Sequence, residues 1–135
     1  MERELLFEGK EYTSSVNIKE FTPAGVRLDI TVAGKINGKV TGQIMSTHNI
    51  LMKPGGISEL ELKSIIFSNG EPIFVMGKTT GKIIDPTPIG KIEGNLTFQT
   101  PSQKLAYLNS TKGRSEATYN MATGEYDFRI YAFKE

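Results

Sequence analysis

The residue types most suited to chemistry are few in this chain, and its single histidine is the first of them. His48 lies in the stretch STHNILMKPGG, just before a Lys-Pro-Gly-Gly turn. A regular strand ending there would share one face among Val40, Ile44, Ser46 and His48, which places the imidazole on the apolar face at the far end of the strand. Histidine titrates near neutrality and can both donate and accept a proton. The pattern predicts a ligand-contacting or general-base role, and a buried, hydrogen-bonded and inert ring is the alternative.

A second candidate pair is formed by Glu61 and Lys63, which lie two residues apart on one face of a strand, whereas Leu60 and Leu62 occupy the other face. If the polar face lines an interior, the carboxylate beside the ammonium can act as a positioned acid or base. If that face meets solvent, the pair contributes less than about 1 kcal/mol. The pattern leaves open which face is inside.

The third candidate set lies in the stretch KLAYLNSTKGR. Tyr107 and Asn109 are predicted to cap one end of the fold, with the Asn109 amide bound to a turn or to a ligand carbonyl. Leu105 and Leu108, three residues apart on a short helical turn, are predicted to plug that end with apolar surface.

Several chemistries are excluded by composition. The chain has no cysteine, which removes disulfides, thiolate nucleophiles and cysteine metal sites. With one histidine and no carboxylate spacing typical of a metal site, we expect no metal and no cofactor. The stretches GKTTGK and KINGKVTG lack the spacing of a phosphate-binding loop, and no nucleophile elbow surrounds Ser46. Catalytic residues therefore stay unassigned.

Length and charge define the class of protein. A chain of 135 residues is expected to form one domain spanning 1–135, and its 16 basic and 15 acidic residues are scattered rather than clustered. We therefore expect no nucleic-acid partner. The beginning, MERELLFEGKEY, has no apolar run suited to a signal peptide or a membrane span. These features predict a soluble, cytoplasmic protein without a membrane partner.

The elements that must position these side chains are almost all strands. In GVRLDITVAG, Val26, Leu28 and Ile30 alternate with polar residues, and in EYDFRIYAF, Tyr126 and Phe128 lie on an apolar face. The run EPIFVMG is apolar on both faces, which is typical of a central strand.

Turn residues join these strands in sequence. Asn37-Gly38, Asn69-Gly70 and Thr123-Gly124 each separate strand-like runs, and such pairs supply the positive φ angles of tight hairpins. We predict an all-β fold, a single antiparallel up-and-down β-barrel of about eight strands with at most one short helix near residues 101–109. A β-sandwich is the structural alternative.

Two blocks of the chain carry a family resemblance. Two stretches that together span residues 53–116, about half the chain, resemble blocks of a widespread family of uncharacterised small β-barrel proteins: KPGGISELELKSIIFSNGEPIFVMGKTTG and FQTPSQKLAYLNSTKGRSE. The positions that correspond to polar or aromatic residues of the family motifs are His48, Asn49, Glu61, Lys63, Tyr107 and Asn109. The resemblance implies a barrel similar in shape to allene oxide cyclases and to lipocalin-like (calycin) proteins, and a small apolar ligand.

Three functions are consistent with such a barrel. The first is binding of a small apolar or aromatic molecule in the lumen, with His48 at the barrel mouth and Glu61, Lys63, Tyr107 and Asn109 as further ligand-binding residues. The second is an isomerase, cyclase or dehydratase on the same scaffold. The third is a structural homo-oligomer with a filled barrel. Whichever function holds, aromatic residues on both faces of the C-terminal strand predict a homo-oligomer, most simply a dimer that buries Tyr131 or Phe133. A packed lumen favours the third function, a wide cavity with an ionisable group favours the second, and a wide cavity lined only by apolar and hydroxyl groups favours the first.

Overall fold

Eight antiparallel strands form a closed barrel in the computed structural model, which describes residues 2–134. Each strand pairs with its neighbours in sequence, and the last pairs with the first, as the sequence predicts. The strands are β1 Glu2–Thr22, β2 Gly25–Gly38, β3 Gly42–Lys53, β4 Ile57–Ser68, β5 Glu71–Ile83, β6 Ile89–Gln99, β7 Lys112–Asn120 and β8 Glu125–Lys134. A short 3₁₀ helix, Ala106–Ser110, lies between β6 and β7. The prediction of an all-β barrel with at most one short helix is confirmed.

A two-residue Asn-Gly turn joins β4 to β5. Asn69 and Gly70 both have positive φ angles, 52° and 80°, and they alone connect the two strands. This two-residue geometry matches the right-handed twist of the flanking strands, which explains the preference for Asn-Gly here.

The strands are strongly staggered around the barrel. Direct backbone partners lead from Val16 through Ile30 and His48, and then across the remaining strands to Ala132. The partner of Ala132 on β1 is Glu4, not Val16. A stagger of this size tilts the strands and widens the barrel relative to an unstaggered one.

The end that carries the β6–β7 connection, here called the loop end, is tightly closed. Its buried apolar side chains come from six strands and from the β2–β3 connection: Leu6, Phe7, Ile36, Val40, Ile44, Ile66, Ile73 and Phe98. The buried hydroxyl side chains Ser68, Thr100 and Ser102 also lie at this end. Leu108 of the 3₁₀ helix is 0% exposed and packs into this core, and Leu105 packs against it. The predicted apolar plug is therefore confirmed.

The opposite end, here called the hairpin end, has a projecting part. Strand β1 leaves β8 after Tyr12 but stays paired with β2 as far as Thr22. Val16, Ile18 and Phe21 lie opposite inward-facing residues of β2, yet they are 53%, 59% and 77% exposed. The inner face of residues 14–22, here called the projecting face, is thus an apolar continuation of the barrel lining that meets solvent.

Candidate functional site

Six polar side chains lie in the middle of the lumen, whose other lining is apolar apart from the buried Thr79 of β5. All are at most 5% exposed, and five of the eight strands contribute to them. We call Glu11, Ser46, His48, Ser64, Ser115 and Tyr126 the polar cluster. Their inward direction follows from strand alternation, because each occupies the same strand face as the neighbouring apolar core residues.

Glu11 is the acidic member of the cluster. The Ser46 hydroxyl donates to Glu11 Oε1 over 3.2 Å, and Ser46 Oγ and Ser64 Oγ are 2.6 Å apart. Glu11 Oε2 has no hydrogen-bond partner within residues 2–134. Burial raises the pKa of the Glu11 carboxyl from 4.5 to about 7, and the Ser46 hydrogen bond opposes part of this rise. The group therefore exchanges its proton close to neutral pH.

His48 is the basic member, and the protein holds it uncharged. The side chain is 3% exposed, and neither Nδ1 nor Nε2 has a hydrogen-bond partner in the described part of the chain. Burial lowers the pKa of the imidazole from 6.5 to about 4. The ring packs edge-on against Tyr126, with centroids 4.8 Å apart and an interplanar angle of 63°.

Tyr126 connects the two ionisable groups. It lies directly opposite Glu11 in the pairing of β8 with β1, and its ring contacts His48. Burial raises the pKa of the phenol above its usual range, the Glu11 carboxyl adds to this, and Ser115 acts in the opposite direction. The phenol therefore keeps its proton and is a hydrogen-bond donor at neutral pH.

The space left within the polar cluster is small. The cavity bordered by Glu11, Ser46, Ser64, Ser115 and Tyr126 admits the centre of a water-sized sphere over about 10 Å³. That is room for about one water molecule. The lumen is therefore nearly packed and at the same time contains ionisable groups, so the two criteria that separate the predicted functions point in different directions.

His48 is the one predicted ligand-binding residue that lies in the lumen. The prediction that it shares the inward face with Val40, Ile44 and Ser46 is confirmed. The prediction that it lies at the end of its strand is wrong, because β3 continues to Lys53. The inward-facing positions of β3 continue beyond His48 with Ile50 and Met52, so the imidazole is buried inside the lumen rather than at its mouth.

Glu61 and Lys63 lie on the outer wall. Both are exposed, whereas Leu60, Leu62 and Ser64 occupy the inner face of β4. The interpretation that this pair faces the lumen is therefore wrong. The apolar residues of the strand take the interior, and the charged ones remain hydrated.

Tyr107 and Asn109 lie at the loop end. The Tyr107 side chain is 47% exposed. Asn109 binds the backbone of Thr100 twice, with Oδ1 accepting from the N–H at 2.7 Å and Nδ2 donating to the carbonyl at 3.0 Å. Of the two roles predicted for Asn109, the structure shows the turn-binding one. The five predicted residues are thus divided among the lumen, the outer wall and the loop end.

Sequence reasoning assigned no role to Glu11 or Tyr126. Tyr126 lies on the inward face predicted for it, but Glu11 reads as an ordinary surface residue. A β-bulge between Leu5 and Phe7 breaks the alternation of β1, so Leu6 and Phe7 are both buried and the inner face is hard to follow to Glu11.

Within residues 2–134, no group of three or more His, Asp or Glu side chains is arranged to hold a metal ion. No helix in that range is long and apolar enough to cross a bilayer.

The barrel resembles several solved structures. A protein of unknown function from Clostridium acetobutylicum ATCC 824 has a TM-score of 0.88 at 17% identity, covering 99% of this chain and 100% of that chain. A β-barrel-like protein from Acinetobacter baumannii AYE has a TM-score of 0.84 at 19% identity, covering 98% and 96%. An enzyme from Penicillium herquei has a TM-score of 0.70 at 18% identity, covering 96% and 93%.

Sequence comparison adds no family. No family model matches the chain, and no curated protein matches it. At the identities of the solved structures, the shared property is the fold. The fold is thus one that uncharacterised β-barrel proteins also have, which agrees with the resemblance noted in the two sequence blocks.

Proposed function

We propose that the protein is a small-molecule-binding β-barrel whose ligand enters at the hairpin end and hydrogen-bonds to the polar cluster. The observation that carries this proposal is a set of buried side-chain atoms that lack hydrogen-bond partners in residues 2–134: Glu11 Oε2, both ring nitrogens of His48, Thr79 Oγ1 and Ser115 Oγ. Each such atom costs about 1 to 3 kcal/mol of folding free energy. A function that uses these atoms accounts for a cost that packing alone does not explain.

The surroundings indicate the class of ligand. The projecting face, with Val16, Ile18 and Phe21 exposed, suits an apolar or aromatic body. The cluster suits an uncharged group such as a hydroxyl or a carbonyl, because His48 is neutral and Glu11 Oε2 can accept or donate. We therefore propose a neutral molecule with an apolar body and one polar end.

Access to the cluster requires side-chain movement. Ile50, Met52 and Tyr119 line the lumen between the projecting face and the cluster, and all three are only partly buried. Because they are not locked in the closed core, their rotation is the least costly way to admit a ligand.

An acid–base enzyme is the second candidate, and the observation that favours it is Glu11. A carboxyl with a pKa of about 7 matches the requirement for general acid–base catalysis at neutral pH. One solved structure with this fold is described as an enzyme. An isomerase, cyclase or dehydratase needs little more than this group and an adjacent hydrogen-bond donor such as Tyr126. A purely structural barrel is favoured by the packed loop end and by the small cavity, about 10 Å³, left within the polar cluster.

The binding proposal is tested by ligand screening and calorimetry. Thermal-shift screening of small aromatic and lipid-like compounds identifies a ligand, whose affinity is then compared between wild type and His48→Gln. Loss of a buried hydrogen bond is expected to cost about 1 to 3 kcal/mol, roughly 5- to 150-fold in Kd. Glu61→Gln, on the outer wall, is the matched control and should bind as wild type does. Equal affinities for all three proteins would overturn the proposal for His48.

The enzyme candidate is separated from simple binding by isotope exchange. A bound carbonyl compound that exchanges carbon-bound hydrogen for deuterium in D₂O with wild type, but not with Glu11→Gln, supports proton transfer at Glu11. Binding without any exchange by wild type would reject catalysis of this kind and leave the binding proposal intact.

A further inference from the structure

Five large apolar side chains form one surface on the outer wall of strands β3, β4 and β5. They are Met45, Ile65, Phe67, Phe74 and Met76, with exposed fractions of 40% to 57%. Backbone pairing makes them contiguous, because Met45 lies opposite Ile65 and Ile65 lies opposite Phe74. We call this set the outer apolar patch.

The fold itself does not explain the patch. The run EPIFVMG of β5 is predicted to be a central strand because both of its faces are apolar, but of its large apolar residues only Ile73 and Val75, on the inner face, are buried. The outer wall of β6 instead presents polar residues such as Lys91, Glu93 and Asn95. Strand β5 therefore has the composition of a strand that is buried on both faces, but the barrel buries only its inner face.

The area of the patch agrees with the requirement of a protein interface. The exposed fractions correspond to about 500 Å² of apolar surface, and a standard interface buries roughly 800 Å² per partner, of which about two-thirds is apolar at its core. Phenylalanine and methionine are enriched in such interfaces, and charged residues are depleted. Lys63, opposite Met76, is a charged neighbour at the edge of the patch.

We propose that the outer apolar patch is the contact surface of a homodimer, in which two copies of this chain bury it against each other. An isologous contact needs only a self-complementary surface, which an uncharged apolar patch provides. The patch lies on the outer wall toward the loop end, so the projecting faces of both copies stay open. The inference is independent of ligand binding in the lumen.

Tyr131 and Phe133 were the residues expected from the sequence to form a dimer interface. The Arg3 guanidinium lies 4.0 Å from the centre of the Tyr131 ring and covers part of it. Both aromatic residues are half-buried within the monomer. They therefore offer less free apolar area than the outer apolar patch does.

Analytical ultracentrifugation tests the proposal with a matched pair of variants on one strand. Wild type is expected at twice the 14.9 kDa mass of one chain, and Ile65→Glu at the mass of one chain. Ile57→Glu, a 49% exposed residue at the other end of β4, should remain a dimer. Because both positions are exposed, circular dichroism should show an unchanged barrel for each variant.

A second measurement locates the contact surface. The chain has no cysteine, so one introduced cysteine carries a single nitroxide label. Pulsed electron resonance is expected to give a shorter distance between copies for Met76→Cys than for Asn17→Cys at the hairpin end. A monomeric wild type at hundreds of micromolar, a dimer that persists in Ile65→Glu, or a patch that takes up detergent while the chain stays monomeric would each overturn the proposal.

Discussion

The two ends of the barrel differ in the side chains that fill the lumen. At the loop end, Leu6, Phe7 and Leu108 are at most 1% exposed, and buried polar side chains there, such as Thr100 and Ser102, have hydrogen-bond partners. Toward the hairpin end, the lumen contains Glu11 and His48, and the apolar projecting face meets solvent.

The contrast indicates which half of the molecule provides stability. Apolar burial contributes about 25 cal/mol per Å² and leaves no polar group unsatisfied, whereas burying unpartnered polar atoms costs free energy. The loop end therefore contributes most of the folding free energy. Part of it offsets the cost of burying ionisable groups toward the hairpin end. Proteins commonly show such a division between a stable scaffold and a less stable site.

The largest expected effect lies at the loop end. Leu108→Ala removes a fully buried plug and should lower the free energy of unfolding by about 2 to 5 kcal/mol. Denaturant unfolding measures the loss, with the exposed neighbour Tyr107→Ala as the control, for which we expect a change within about 0.5 kcal/mol. A small loss for Leu108→Ala would contradict the assignment of stability to this end.

A second prediction concerns the acid of the polar cluster. Because the pKa of Glu11 is about 7 in the folded protein and 4.5 as its ordinary value, ionisation destabilises the fold. The penalty is absent below pH 4.5, grows as pH rises, and is complete above pH 7, where it amounts to about 3 kcal/mol. Glu11→Gln should therefore gain stability relative to wild type by that amount between pH 4 and pH 8. Glu61→Gln controls for loss of a carboxylate as such, and a pH-independent difference would reject the prediction.

The contribution of His48 to the free energy of unfolding should depend on pH in the opposite direction to that of Glu11, with a similar or somewhat smaller magnitude. Its pKa falls from 6.5 to about 4 on folding, so its contribution is fully present above pH 6.5 and is lost as pH falls through 4. His48→Phe keeps an aromatic ring beside Tyr126 and should resist acid better than wild type by about 3 kcal/mol. Unfolding measured from pH 3 to pH 8 tests this. In wild type, the contributions of Glu11 and His48 to the pH dependence of the unfolding free energy largely cancel between about pH 4.5 and 6.5. A steep change of wild-type stability with pH in that range would show that one of the two pKa values is wrong.

The smallest expected effect is a hydrogen bond at the hairpin end. Thr13 Oγ1 lies 2.8 Å from the Tyr119 hydroxyl and donates to the Gly124 carbonyl at 2.7 Å, so Tyr119 is the donor to Thr13. Tyr119→Phe should cost about 1 kcal/mol and increase hydrogen exchange of the β7–β8 turn. Asn120→Ala is the control, because it removes only the hydrogen bonds that Asn120 Oδ1 accepts from the backbone of the same turn. Exchange that rises equally throughout the barrel would indicate global destabilisation instead.

Alternation of residue types was enough to predict the fold and the inward face of His48. The same rule located Tyr126, because its strand is regular from Tyr126 to Ala132. It failed for Glu11, since the bulge after Leu5 shifts the face of β1, and a buried carboxylate has no pattern of its own.

The remaining errors have physical causes of the same kind. The sequence predicts a strand that ends at His48, just before the Lys-Pro-Gly-Gly turn, whereas β3 continues to Lys53. For Glu61 and Lys63, the choice of face depends on the partner strands, whose register is a long-range property. The nearly filled lumen depends on the summed volume of side chains from all eight strands, and no local pattern reports that sum.

The pairing of β1 with β8 joins the two extremes of the chain, and this has a consequence for how the molecule is assembled. Hairpins between sequence neighbours close short loops, whereas this pairing closes a loop of nearly the whole chain and carries the largest entropic cost. Glu11 and Tyr126 face each other across it. An open, partly folded sheet therefore contains a hydrated Glu11 and a Tyr126 remote from it, and both groups acquire their unusual acidities only in the step that completes the ring of strands.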